Sequence, residues 1–145
     1  MNASTQAVSI DAMRKISSIP VLFRSEFPSA IVDLSPWTMD EQAQQQTDPN
    51  SLDFAFSFSR WHPLLNCGCV LLQIYFTHPL SEKNNSFYGI EASGYGHKGE
   101  YWQFSSMSNW QFKGKLLPSG TSQQQLMDIC YKIHALFGRI ASLRY

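Results

Sequence analysis

The chain has 145 residues, a length that suits a single domain spanning 1–145 with one hydrophobic core. Charged side chains are only 15% of it and hydrophobic ones 43%, with four Trp, six Tyr and ten Phe, which excludes a disordered chain and predicts folding that needs no cofactor. Eleven basic and eleven acidic side chains cancel, so no uniform field exists to hold a polyanion, and nucleic acid is not expected as a partner.

In chain order, Met1 to Val8 is small and polar and reads as loose, a disordered lead-in at 1–8. Ile10, Met13, Ile16 and Ile19 recur at helical spacing and predict a short amphipathic helix ending near Pro20, with a second helical piece allowed through Phe27 because proline fits a first turn. Ala30 to Leu34 predicts a short strand closed by Ser35-Pro36. From 37 to 51 the composition turns to Gln, Asp and Asn, which predicts a polar loop.

Leu52, Phe54, Phe56 and Phe58 alternate with Asp53, Ala55, Ser57 and Ser59, so a strand over Leu52 to Arg60 puts four large apolar groups on one face. Cys67 to Thr77 is more continuously apolar and predicts a central strand buried on both faces. The four residues Pro63 to Asn66 between them suit an antiparallel hairpin. Phe87 to Ala92 and Glu100 to Phe104 predict two more strands around a glycine-rich tip, and Trp110 to Phe112 an extension or edge strand. Leu126, Ile129, Cys130, Ile133, Leu136, Phe137 and Ile140 form one helical stripe, with Thr121 as the expected N-cap. Strands in series joined by short turns predict an α+β fold: a mainly antiparallel sheet of about five strands, flanked by an N-terminal helix and a long C-terminal one.

Three cysteines, an odd and sparse set, fit a reducing cytoplasm better than a disulfide scaffold. No basic start with an apolar run opens the chain, and its longest apolar stretch, Cys67 to Phe76, falls far short of the ~20 residues of a membrane span. A cytoplasmic chain without a membrane partner is expected.

The motifs that suggest chemistry fail on context. Gly94, Gly96 and Gly99 satisfy G-x-G-x-x-G, but Glu100 to Phe104 continues as a strand where a dinucleotide site needs a helix, so the glycines predict a hairpin tip. Cys67-Gly68-Cys69 is half a zinc site without its second pair, even with His62 and His78 flanking it. Cys130 falls on the terminal stripe, and His134 beside it has no nucleophile or carboxylate near it in sequence. The Lys98 to Phe104 strand resembles the aromatic strand of RNA-recognition modules only faintly, with Glu100 misplaced for phosphate. No catalytic residue, metal site or cofactor is assigned.

The aromatic surplus is the more useful clue. Both faces of the Tyr101 to Phe104 strand carry rings, so one face packs on a helix and the other needs a second cover. Terminal helices placed on opposite faces would make every ring core; otherwise a patch of Trp and Tyr remains as an interface anchor. The residues expected to line such a groove are Trp61, Tyr88, Tyr101, Trp102 and Trp110, and Trp102→Ala is expected to weaken capture without unfolding the domain.

By its aromatic β segments Leu52 to Pro63 and Tyr88 to Phe104 and its closing helix from Thr121, the chain resembles small cyanobacterial carboxysome-assembly proteins of the CcmS type. That resemblance implies a non-enzymatic cytoplasmic factor binding a tail segment of a carboxysome shell protein in a pocket beside the sheet, to assist shell assembly. The alternative is a small-molecule binder or lyase-like enzyme using the same aromatic pocket, with His62, His78 or Glu91 supplying polar contacts.

Overall fold

The alternation of phenylalanines becomes the second strand of a six-stranded antiparallel sheet. The computed structural model describes residues 1–37, 48–80, 82 and 85–142, with side chains through 137. Its strands are β1 (Ile31–Asp33), β2 (Ser51–His62), β3 (Cys67–Phe76), β4 (Phe87–Gly96), β5 (Gly99–Ser105) and β6 (Gln111–Gly114), and its long helices are α1 (Ile10–Glu26) and α2 (Gly120–Ser142). Strand order in space equals order in the chain, every neighbouring pair being antiparallel. The expected α+β fold is therefore present, with six strands instead of five because the segment after Trp110 pairs as an edge strand of its own. Of the polar loop expected over 37–51, residues 38–47 lie outside those described.

Register assigns each side chain to a face. The row Val32, Phe56, Val70, Gly94 and Trp102 and the row Phe54, Leu72, Ala92 and Phe104 point one way. The rows between them, Ile31, Ser57, Cys69 and Tyr95, then Asp33, Ala55, Leu71, Ser93 and Gln103, point the other. Leu52, Phe54, Phe56, Leu72, Ile74, Ile90, Trp102 and Phe104 are buried in one cluster with Ile16, Ile19 and Phe23 of α1 and Leu126, Ile129 and Ile133 of α2. Both helices thus lie on the same face. Strand β3, expected to be buried on both sides, is buried on one: Val70, Leu72 and Ile74 are inside, while Leu71, Gln73 and Tyr75 are half-buried on the other.

Helix α1 departs from its expected course twice. It continues through Pro20 to Glu26, and its buried stripe is Ala12, Ile16, Ile19 and Phe23, leaving Ile10 and Met13 outside. Proline in a helix interior costs about 3 kcal/mol, whereas burying a large apolar side chain contributes about 1.5–3 kcal/mol. Burial on both sides of the ring, with Phe23 stacked on Phe56 at 3.9 Å between centroids, outweighs the lost backbone bond. Ser9 caps the helix, accepting from the Ala12 amide at 3.1 Å.

Helix α2 starts two residues earlier than expected. Ser119, not Thr121, is its cap: the Ser119 hydroxyl accepts from the Ser122 amide at 3.1 Å, and Gln123 Nε2 donates to Pro118 O at 2.9 Å. The two helices meet where Gln125 Nε2 donates to Glu26 Oε2 at 3.2 Å.

The opening residues, expected to be loose, are tied down. A short 3-10 turn over Ala3–Gln6 follows a parallel bridge between Asn2 and Asp53, and together they prolong the sheet edge beyond β1. Asn2 exchanges hydrogen bonds with the backbone of Trp37, and Gln6 Nε2 donates to Pro49 O at 2.9 Å and Ser51 O at 3.2 Å. The few polar side chains here find backbone partners, a gain invisible to a composition reading.

Candidate functional site

With both helices on one side, no layer covers the second face of the sheet among the described residues. Its rows mix Ser57, Cys69, Ser93, Gln73 and Gln103 with Ala55 and Leu71 and with the carboxylates of Asp33, Asp53 and Glu91, and its two ends differ.

At the end holding the β2–β3 and β4–β5 turns, Trp61 and Tyr101 pack edge to face, with ring centroids 5.1 Å apart at 84°. Gly96 makes room for them. A Cβ there would stand 2.6 Å from the Tyr101 ring and 2.8 Å from the Trp61 ring, so a larger residue would dislodge the pair. Trp61 of this pair lines a hollow of about 450 Å³ together with Phe58, Arg60, Cys69, Tyr95 and His97. Tyr95 donates to Glu100 Oε2 at 3.4 Å, and burial followed by the Glu100 charge pushes its pKa up. Burial, then the nearby Asp33 charge, raises the pKa of Cys69, so its thiol stays protonated and behaves as a small apolar group.

Further along the face, Tyr75 donates to Glu91 Oε2 at 3.4 Å; burial and then that carboxylate raise the tyrosine's pKa. At the far end Asp53 is fully buried: its Oδ2 accepts from the Met1 ammonium at 2.8 Å and from the Trp37 indole, while Oδ1 has no partner among the described residues. That ion pair closes the far end of the face.

The five residues expected to line one groove occupy four places. Trp61 and Tyr101 come together. Tyr88 is 56% exposed but sits at the opposite end of β4, 6.1 Å from Tyr75 between ring centroids. Trp110 leaves the sheet altogether: with φ at 56° in the turn before β6, its ring stacks on Tyr131 of α2 at 4.5 Å and joins that helix to the strands.

Trp102 corrects the expectation outright. It is fully buried on the helix side, and its Nε1 donates to Leu65 O at 2.7 Å. Its cross-strand partners are Gly94 and Gly114, where an added Cβ would stand 2.2 Å from the indole Nε1 and from the Tyr101 carbonyl respectively. The first glycine of the apparent dinucleotide motif is therefore space for a tryptophan. The hairpin tip itself is as expected, with Gly96 paired to Gly99 across His97-Lys98 and Gly99 at φ 95°.

His62, His78 and Glu91, the polar groups considered for a small-molecule site, do not converge. His62 pairs with Cys67 at one end of β3 and His78 follows its other end, about 30 Å away at ~3.3 Å per residue. His62 Nδ1 instead accepts from the Leu65 amide at 3.1 Å inside the β2–β3 turn, its pKa lowered by burial. Among the described residues no three His, Cys, Asp or Glu side chains group to hold a metal, and no described helix is long and apolar enough to cross a membrane.

Residues 4–139 match a family model described as a domain of unknown function. No curated protein and no solved structure matches the chain.

Proposed function

The chain belongs to that family of unknown function, and we propose that it works as a non-enzymatic protein-binding module, an assembly factor that holds an extended tail of another protein against the face of its sheet that neither helix covers. The observation that carries this reading is the Trp61–Tyr101 pair seated on Gly96 beside a hollow of about 450 Å³, on the face that neither helix covers. Rings that are already ordered lose little freedom on binding, and a Trp with a Tyr at the rim of a hollow is the usual chemistry of a binding anchor. The Ser, Gln and Tyr side chains beyond it, interspersed with Asp33 and Glu91, suit an extended peptide's polar backbone. The resemblance to carboxysome-assembly proteins supplies the partner: the tail of a carboxysome shell protein, in the cytoplasm.

The test is titration of a labelled shell-protein tail peptide by fluorescence anisotropy. Trp61→Ala and Tyr101→Ala should each weaken capture by about tenfold or more, equivalent to ~1.4 kcal/mol, while circular dichroism stays native. A peptide that binds both variants as tightly as the parent chain overturns the reading.

A further inference from the structure

The opposite side of the molecule carries a second surface that is uncovered among the described residues. On the outside of the helix layer, a groove of about 740 Å³ runs between α1 and α2, floored and walled by Ser17, Ser18, Val21, Leu22, Ala135 and Leu136, with Lys132 at its border. Val21, 68% exposed, stands as a ridge between this groove and a smaller hollow of about 430 Å³ beside Pro20 and Arg24. Ile10 and Met13 continue the apolar strip toward the start of α1, 72% and 52% exposed. These are the residues left outside when the buried stripe of α1 settled on Ala12, Ile16, Ile19 and Phe23.

Charge chooses among occupants. Lys132 lines the groove and Arg24 the hollow beside it; neither they nor Arg14, on the same helix as Arg24, has a carboxylate within 4.0 Å among the described residues, whereas Asp11 is paired with Lys15 at 3.3 Å. A second copy of the chain laid on this surface would set those cations against their own likes, so self-association is disfavoured. A polar small molecule finds little to hold it, since the Ser18 hydroxyl is committed to Arg14 O at 2.8 Å. What fits is apolar side chains at helical spacing with carboxylates flanking them. Small Ser17, Ser18 and Ala135 let such a backbone approach closely.

We propose that the groove between α1 and α2 docks an acidic amphipathic helix from another protein. The proposal is independent of the tail reading, since the groove lies on the side of the helix layer turned away from the sheet, and together the two surfaces would make the chain a bridge between two proteins.

The probe is a synthetic helix of about 14 residues with leucines at i, i+3, i+4 and i+7 and glutamates elsewhere, compared by anisotropy with the same peptide carrying lysines. The full chain should bind the glutamate peptide saturably and at least about tenfold more tightly than the lysine peptide. Ala135→Arg and Val21→Glu, both at exposed positions, should each abolish that binding with the melting temperature held, and Lys132→Glu should narrow or reverse the preference. Three results overturn the proposal: no saturable binding of the glutamate peptide, equal binding of both peptides, or a concentration-dependent dimer, seen by light scattering, that Val21→Glu dissociates. None of these variants touches Trp61 or Tyr101, so tail capture serves as the internal control.

Discussion

Trp102 and Trp61 sit on the same sheet and have opposite fates. Trp102 faces the helices, fills the space left by Gly94, and donates its indole proton to Leu65 O. Trp61 is 40% exposed, touches Tyr101, and leans on Gly96 at the side without helices. In both places a glycine makes room for a tryptophan, but in one the ring is sealed in and in the other it is presented. A glycine opposite an aromatic residue marks where a large ring lies flat on the backbone; the layer above decides whether that ring is structural or available.

The largest effect expected from disturbing this contrast is on the sealed side. Trp102→Ala should destabilise the fold by about 3–5 kcal/mol through the cavity it leaves, with the Leu65 carbonyl unpaired in addition; denaturant unfolding would read this as a midpoint shift at unchanged slope. If the loss is under about 1 kcal/mol, Trp102 is not part of the core. Asp53→Ala comes next. It leaves the Met1 ammonium and the Trp37 indole without their shared acceptor, at a cost of about 1–3 kcal/mol, and proteolysis should then cut within residues 1–8 before the rest of the chain. Trp61→Ala should change stability by no more than about 0.5 kcal/mol while it weakens peptide capture, and a cooperative loss of fold would show that Trp61 belongs with Trp102. The gentlest probe is alkylation at pH 8. Cys69, half-buried on the face that neither helix covers, should react slowly and first, whereas Cys67 and Cys130, whose pKa values burial pushes up to about 12, should react only on unfolding. Equal labelling of all three thiols would mean the two faces are not differently covered.

The sequence made the ribbons and the terminal helix legible because their periods are strong. Alternation from Leu52 to Phe58 and the stripe from Leu126 to Phe137 each match one geometry only. Which side of β5 is inward was not legible from that strand, since Tyr101 and Trp102 are adjacent large rings and a period of two fixes alternation without its sign. The signal that could have settled it was in a neighbour: Gly94 pairs with Trp102, and a large ring fits opposite an absent side chain. Helix α1 was misread for a related reason. Ile10 and Met13 are as apolar as Ile16 and Ile19, so two phases fit the segment, and Phe23, beyond the proline, selects the true one by packing on Phe56. That both helices share a face is a matter of chain reach and packing that no local pattern encodes. For the candidate site, Trp61 and Tyr101 were legible as rings in strands, but each lies at a register shift, Trp61 between Ser57 and His62 of β2 and Tyr101 opposite the Gly94–Tyr95 step of β4, which no alternation pattern encodes.

The serial order of the strands has a consequence for how the molecule is made. Each ribbon's partner is the one synthesised just before it, so the sheet can zip forward turn by turn without waiting for a remote segment. The handshake between Gln125 and Glu26 is different in kind, since it joins positions 99 apart in the chain. Until that late docking, the oily underside from Phe54 to Phe104 lies half roofed, and the interval before α2 lands is when this protein is most exposed to sticking to the wrong neighbour.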